Sequence, residues 1–307
     1  MKDFIVFRIN LYDIIIFKHF YQSEGILMKF LITGSGGCVT LPKPLCQCDI
    51  CKEARTKGKP YSRFGCSIYL ENLKLLIDTP ENIAEAINYA NIKEIEKVLY
   101  SHVDPDHTLG MRIFEQLRLN WFDVSEGKEC SNPIEVIALD NVMSDLNSIS
   151  FKYGSYLDYY ENVRHLIKRT AITDSVTFDN IKISFIKATN ATVFVFEEEN
   201  KKVIYAPCDV KPFPENIIFN NADILVIGNT FVGEKLKDGY VFSKDNPLRK
   251  ELFSMNEIIA LKNKYSIKKV IITHLEEDWG KSYDDYLELE KKYNNIFFAY
   301  DGMIFEV

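Results

Sequence analysis

The sequence predicts an α/β (α+β) sandwich with a metal site at its strand ends, and three observations carry that expectation. Short apolar strands alternate with helical stretches along the chain. Three of those strands run out into His102, Asp209 and His274. Two histidines and two aspartates also crowd into the segment SHVDPDHTLG, residues 101–110. Strand-end polar residues often serve only as turn caps. Imidazoles and carboxylates gathered behind an apolar strand, however, need partners once buried, and a metal ion is such a partner.

The elements follow in order. KFLITG (29–34) is a strand running into glycines, and CSIYLENLKLLIDT (66–79) reads as two strands joined at Glu71-Asn72, with Asp78 near the end. ENIAEAINYA (81–90) has helical periodicity, and KVLYSH (97–102) is a buried strand that delivers His102. A helix is expected from about Leu109 to Leu117. The remaining strands are IEVIAL (134–139), VTFDNIKISFIKAT (176–189), VFVFEE (193–198), KVIYAPCD (202–209), DILVIGNT (223–230), KKVIITH (268–274) and IFFAYDGMIFEV (296–307). ENVRHLIKR, with His165, looks helical, and that lone histidine reads as a surface or core-edge residue. No repeat or flexible linker interrupts residues 28–307, which therefore read as one domain.

Composition narrows the function. Of 307 residues, 47% are hydrophobic, enough for one large core. The net charge of −7 offers no field to attract nucleic acid, and no basic run creates a local one. The apolar start, MKDFIVFRINLYDIIIFKHFYQSEGIL, is broken by Lys2, Asp3, Arg8, Asp13 and Lys18, so it matches neither a membrane span nor a secretory leader. Fold-like sequence begins at Met28. Residues 1–27 are therefore expected to be a dispensable extension or a mis-assigned start; the alternative is a short amphipathic segment that packs on the body or on a partner subunit.

Seven cysteines, an odd number, suit a reducing cytoplasmic compartment better than a disulfide framework. Three of them, Cys46, Cys48 and Cys51, fall within six residues, a spacing that can wrap one zinc ion and leave one ligand to come from elsewhere.

The strand pattern and these residues together resemble the metallo-β-lactamase fold superfamily, whose signature after a strand is His-x-His-x-Asp-His. Here the run is His102-Val103-Asp104-Pro105-Asp106-His107. LLIDT (75–79), the Asp of YAPCD and the His of ITH match further motifs, and the resemblance covers most of residues 28–307. It implies a four-layer αββα sandwich holding two metals side by side. One site is complete: Asp106, His107 and His274, with Asp209 bridging. The other keeps His102, has Asp104 in place of a histidine, and lacks the third histidine expected in KATNAT (187–192), where Thr189 and Asn190 are the nearest polar residues.

The cysteine cluster resembles one branch of that superfamily, the phosphoribosyl cyclic-phosphate phosphodiesterases and the B protein of pyrroloquinoline quinone biosynthesis. The branch implies a structural Zn2+ on Cys46, Cys48 and Cys51, with Glu277 where the phosphodiesterases have a histidine; Glu276 and Asp278 are alternatives. Those enzymes also carry a leaving-group histidine on the helix before the final strand. PLRKELFSMNEII (247–259) has none, and Arg249, Lys250 and Glu251 are the substitutes on offer.

The resulting expectation is a hydrolase with one or two catalytic divalent ions (Zn2+, Mn2+ or Fe2+), Asp209 and Asp106 in the catalytic roles, and a small cyclic phosphate or nucleotide as substrate. The carboxylate-rich first site favours harder ions such as manganese or iron. An iron-dependent oxygenase-like maturation protein and a non-catalytic ligand-binding member are the alternatives. A homodimer is compatible with either. GSGG (34–37) lacks the Lys-Ser/Thr of a phosphate loop and reads as a tight strand exit. FKYGSYLDYY (151–160) and FVGEKLKDGYVF (231–242) either cover the site mouth or serve as ordinary packing.

Overall fold

A computed structural model describes residues 27–307. The expectations for residues 1–27 therefore fall, apart from Leu27, outside the described residues. Two seven-stranded sheets dominate the molecule. The first runs, edge to edge, through Ile304–Glu306, Lys29–Gly34, Ser67–Leu70, Leu75–Ile77, Lys97–Leu99, Ile134–Leu139 and Ile167–Ile172. The second runs through Ile296–Phe298, Lys269–Ile272, Ile224–Ile227, Lys201–Ala206, Thr192–Glu198, Ile181–Lys187 and Ser175–Phe178. The mixed α/β sandwich is thus the fold that the alternating strand pattern predicts.

Thr192–Glu198 explains how one sequence serves two layers. Successive side chains of a strand point to opposite faces. Phe194 and Phe196 join the core between the sheets, while Val193 and Val195 join a second core with Met255 and Ile258 of the Met255–Lys264 helix. Phe30 of the first sheet meets Phe196 of the second edge to face, with ring centroids 5.3 Å apart. Burying each such ring is worth about 1.5–3 kcal/mol, so truncating Phe196 to alanine would cost about 3–5 kcal/mol.

The outer helices are short and locally encoded. Ser254 and Glu257 form a capping box at the start of Met255–Lys264, and Ser282 and Asp285 do the same for Tyr283–Glu290. His165 departs from the helical expectation. A π-helical turn ends at Val163, and His165 sits in the left-handed backbone region before the Ile167–Ile172 strand. Parallel pairing of that strand with Ile134–Leu139 overrides the local periodicity.

Each sheet contains a parallel half, and these halves set the site. Leu75–Ile77 and Lys97–Leu99 run parallel in the first sheet, as do Lys201–Ala206, Ile224–Ile227 and Lys269–Ile272 in the second. Their carboxyl ends release the residues singled out from the sequence, at the edge where open α/β sheets gather ligands. A buried network braces the GSGG exit beside them. Asp301 accepts from Ser35 N and Phe64 N, pairs with Lys59, and Arg63 donates to Ser35 Oγ. GSGG is indeed a tight exit: a Cβ on Gly37 would lie 2.0 Å from Glu276 Oε1. Among the described residues, no helix is long and apolar enough to cross a membrane.

Candidate metal centre

His107 anchors the site. It is fully buried, and its Nδ1 lies 2.8 Å from Asp78 Oδ2, which leaves Nε2 to face the cradle. Asp78 also accepts from Ser101 N and Oγ, and Ser101 Oγ lies 2.8 Å from His102 Nδ1. One buried carboxylate thereby fixes two imidazoles, directly and through one hydroxyl, as a carboxylate behind a metal-binding histidine does.

Three donors then converge. His107 Nε2 is 3.3 Å from His274 Nε2 and 3.5 Å from Asp106 Oδ2, and His274 Nε2 is 3.2 Å from Asp106 Oδ2. Nitrogen and oxygen ligands about 2.0–2.1 Å from a tetrahedral zinc stand about 3.3 Å from one another. The triad Asp106, His107 and His274 therefore fits a divalent ion without rearrangement.

His102, Asp104 and Asp209 form a second donor group, and His102, His107 and Cys208 form a third. Cys208 was not among the residues expected from the sequence. Its buried Sγ lies 3.3 Å from His102 Nε2 and 3.2 Å from His107 Nε2, between the two halves of the cradle. Asp209 instead associates with His102 and Asp104, and Asn229 Nδ2 donates to its Oδ1 at 3.0 Å. Thr189 and Asn190 are exposed in the turn before Thr192–Glu198, with no side-chain hydrogen bond to the cradle among the described residues.

The charges agree with this geometry. Burial acts to raise the Cys208 thiol, but the imidazoles of His107, His102 and His274 hold it well below its ordinary value. Burial acts to lower His107, while Cys208 and Asp78 raise it far above the usual imidazole value. A cation that binds such a group of donors displaces protons from them. Burial, followed by the charges of Cys208 and Asp104, pushes Asp209 up to about 6.

The cysteine corner is separate. Cys46, Cys48 and Cys51 place Sγ atoms 3.5, 3.3 and 3.2 Å from Glu277 Oε1. With zinc–sulfur bonds of about 2.3 Å and a zinc–oxygen bond of about 2.0 Å, a tetrahedral ion spaces such atoms about 3.5 Å apart. Of the three acids considered, only Glu277 reaches the thiols. Glu276 accepts from Cys38 N and Val39 N, with Oε1 3.3 Å from His274 Nδ1, and Asp278 is exposed. Lys237, from the FVGEKLKDGYVF loop, pairs with Glu277 Oε1 and stands 3.4 Å from Cys46 Sγ. Burial works to raise Glu277, but Lys237 and the Cys51 thiol bring it down to about 2.

The FKYGSYLDYY segment packs largely on itself, with Phe151 and Tyr156 stacked at 4.4 Å, and lines a cavity of about 290 Å³ with Thr108 and Leu109.

Fold and donor geometry point to a metal-binding sandwich, and the family match agrees. The family described as the beta-lactamase superfamily domain matches residues 74–275, and the chain belongs to that superfamily, most of whose members are metal-dependent hydrolases. Among solved structures, Zn2+-bound PqqB from Methylobacterium extorquens has a TM-score of 0.68 at 18% identity, covering 91% of this chain and 100% of that one. A diphosphatase of the PhnP family has a TM-score of 0.65 at 17% identity, covering 91% and 97%. Human tRNase Z, short form, has a TM-score of 0.57 at 14% identity, covering 91% and 98%. At these identities the likeness is one of fold. No curated protein sequence matches the chain.

Proposed function

We propose that the chain is a metal-dependent hydrolase that cleaves a phosphodiester bond in a small cyclic phosphate or nucleotide. One observation carries the reading: Asp106, His107 and His274 hold three donor atoms 3.2–3.5 Å apart at the strand-end edge of the sandwich. Asp106, His107, His274 and Cys208 would hold one divalent ion, and His102, Asp104 and Asp209, with Cys208 shared, would hold a second. Such ions supply Lewis acidity toward a phosphoryl oxygen and lower the pKa of water.

The chain's own groups do the rest. Asp78 and Ser101 keep both imidazoles aimed, so that neither nitrogen must reorganise during reaction. Asp209, steadied by Asn229, orients the attacking water and takes up its proton. Cys208 compensates for the absent histidines, and its soft sulfur offsets the preference for hard ions that Asp104 would impose. Cys46, Cys48, Cys51 and Glu277 would hold a structural zinc ion, and that ion would clamp the 46–51 segment to the loop after the Lys269–Ile272 strand. A reducing, cytoplasmic setting accords with thiols kept free for metals.

The test is turnover of bis(p-nitrophenyl) phosphate by protein of measured metal content. Hydrolysis that disappears with a chelator and returns with zinc or manganese supports the reading. Protein that carries ions at the cradle yet hydrolyses no phosphodiester, with or without added manganese, sinks it. A single iron at the cradle, with no turnover, favours the oxygenase-like alternative instead.

A further inference from the structure

Three imidazoles face the cradle, and Asp78 accounts for the aim of only two. It holds His107 directly and His102 through Ser101. His274 stands on the loop after Lys269–Ile272, in the other sheet, and its Nε2 meets Asp106 Oδ2 and His107 Nε2. Its Nδ1 is buried and makes no hydrogen bond among the described residues. A neutral imidazole that gives Nε2 to a cation carries its proton on Nδ1, and a buried N–H needs an acceptor. Glu276 Oε1 lies 3.3 Å from that nitrogen.

The Glu276 carboxylate is itself held in place. Its side chain is 13% exposed, and Cys38 N donates to Oε1 and Val39 N to Oε2, each at 3.0 Å. Two backbone donors, one per oxygen, fix the plane of the carboxylate and leave Oε1 a lone pair for His274. The chain between the two residues is stitched down as well. Leu275 N donates to Ser35 O at 2.9 Å, and Leu275 O accepts from Gly37 N at 3.2 Å. Gly37 makes room for this arrangement. The three heavy atoms that a Cβ there would meet first, at 2.0–2.7 Å, all belong to the Glu276 carboxyl group. The GSGG exit is thus shaped around a carboxylate of the chain itself.

We infer that Glu276 is a positioning residue for His274, accepting a hydrogen bond from its Nδ1–H and so keeping Nε2 turned toward the cation. A cation on Nε2 leaves the proton on Nδ1, and a small turn of the ring aligns that N–H with Oε1. Asp78 and Glu276 then divide the task, one carboxylate behind the imidazoles of each sheet. The inference rests on the hydrolase reading for the presence of a cation at the cradle. Metal affinity reads it without turnover.

Cobalt titration of the cradle, in protein that keeps zinc at the cysteines, tests the inference with Glu276→Gln and Gly37→Ala beside the wild type. Glutamine keeps the side chain's length and an oxygen for one backbone donor but removes the charge. Alanine at 37 leaves Glu276 in the chain and displaces its carboxylate. Each variant should bind cobalt about tenfold or more weakly. In the zinc-loaded wild type, the His274 Nδ1 proton should give a low-field, slowly exchanging NMR resonance. That resonance should move upfield or vanish in Glu276→Gln while the cysteine zinc and the unfolding temperature stay as they were, which a loop staple alone would not produce. Unchanged cobalt affinity in Glu276→Gln, or a His274 proton that does not move, overturns the inference and leaves the hydrolase reading standing. Loss of the cysteine zinc in both variants would make Glu276 a staple of its loop and overturns it too. A wild-type cradle that takes up no cobalt overturns both readings together.

Discussion

Cys46, Cys48 and Cys51 meet at one point after six residues of chain, needing only Glu277 from afar. The cradle draws its donors from loops at the ends of three strands on two sheets: Lys97–Leu99, Lys201–Ala206 and Lys269–Ile272. The first arrangement is a closed tetrahedron of donors. The second gathers Asp106, His107 and His274, and three protein donors around one ion would leave a coordination position for water or substrate. Local spacing thus makes a clamp, and long-range assembly makes a reactive site.

That contrast can be broken or sharpened by mutation. The largest effect is expected from Asp106→Ala. Elemental analysis should show the cradle losing metal while zinc at the cysteines stays, and phosphodiester turnover should fall more than about 100-fold. Loss of both metals together would mean that the two regions are one cooperative unit. Asp78→Asn touches neither ion, yet it unaims two imidazoles, so affinity at the cradle should drop about 10–100-fold with the cysteine zinc unchanged. Cys208→Asp exchanges sulfur for oxygen between the half-sites. Competitive loading should then shift toward manganese over zinc by about tenfold, and an unchanged preference would remove Cys208 from the ligand set. The smallest effect belongs to Lys237→Gln, which removes one counter-charge from the clamp. Zinc release to a chromogenic chelator should change by about threefold or less, since a single partly exposed charge contributes about 1 kcal/mol or less.

The two regions were not equally legible. Three cysteines in six residues declare themselves, and the choice of Glu277 over its acidic neighbours needed only the fold, since the turn at 277–279 buries Glu277 and exposes Asp278. In the cradle, His274 was readable because it follows an apolar strand, and Asp106 and His107 because they complete a run that resembles the superfamily signature. Cys208 was not. Consecutive strand residues point to opposite faces, so a cysteine beside an aspartate is expected to turn away when the aspartate turns in. The backbone of Asp209 is left-handed, at φ 54°, which breaks the alternation and brings both residues to His102. The absent histidine near Asn190 looked like a lost ligand, because a replacement from a different strand leaves no mark at the vacated position. The helical reading of His165 failed for a related reason: pairing with a distant strand outweighs local periodicity.

The left-handed residues have a further consequence. Asp78, Asp209, Asn229 and His274 all have φ between 47° and 63°, and none is glycine. Each such conformation costs a non-glycine residue about 1 kcal/mol or more. The molecule therefore stores tension at the positions that aim its chemistry, and relaxing it would reward inactive descendants. Selection of this chain for heat resistance alone should drift toward glycine at Asp209 or Asn229, yielding sturdier proteins that have forgotten their reaction. Durability and activity are opposed at the level of single backbone torsions.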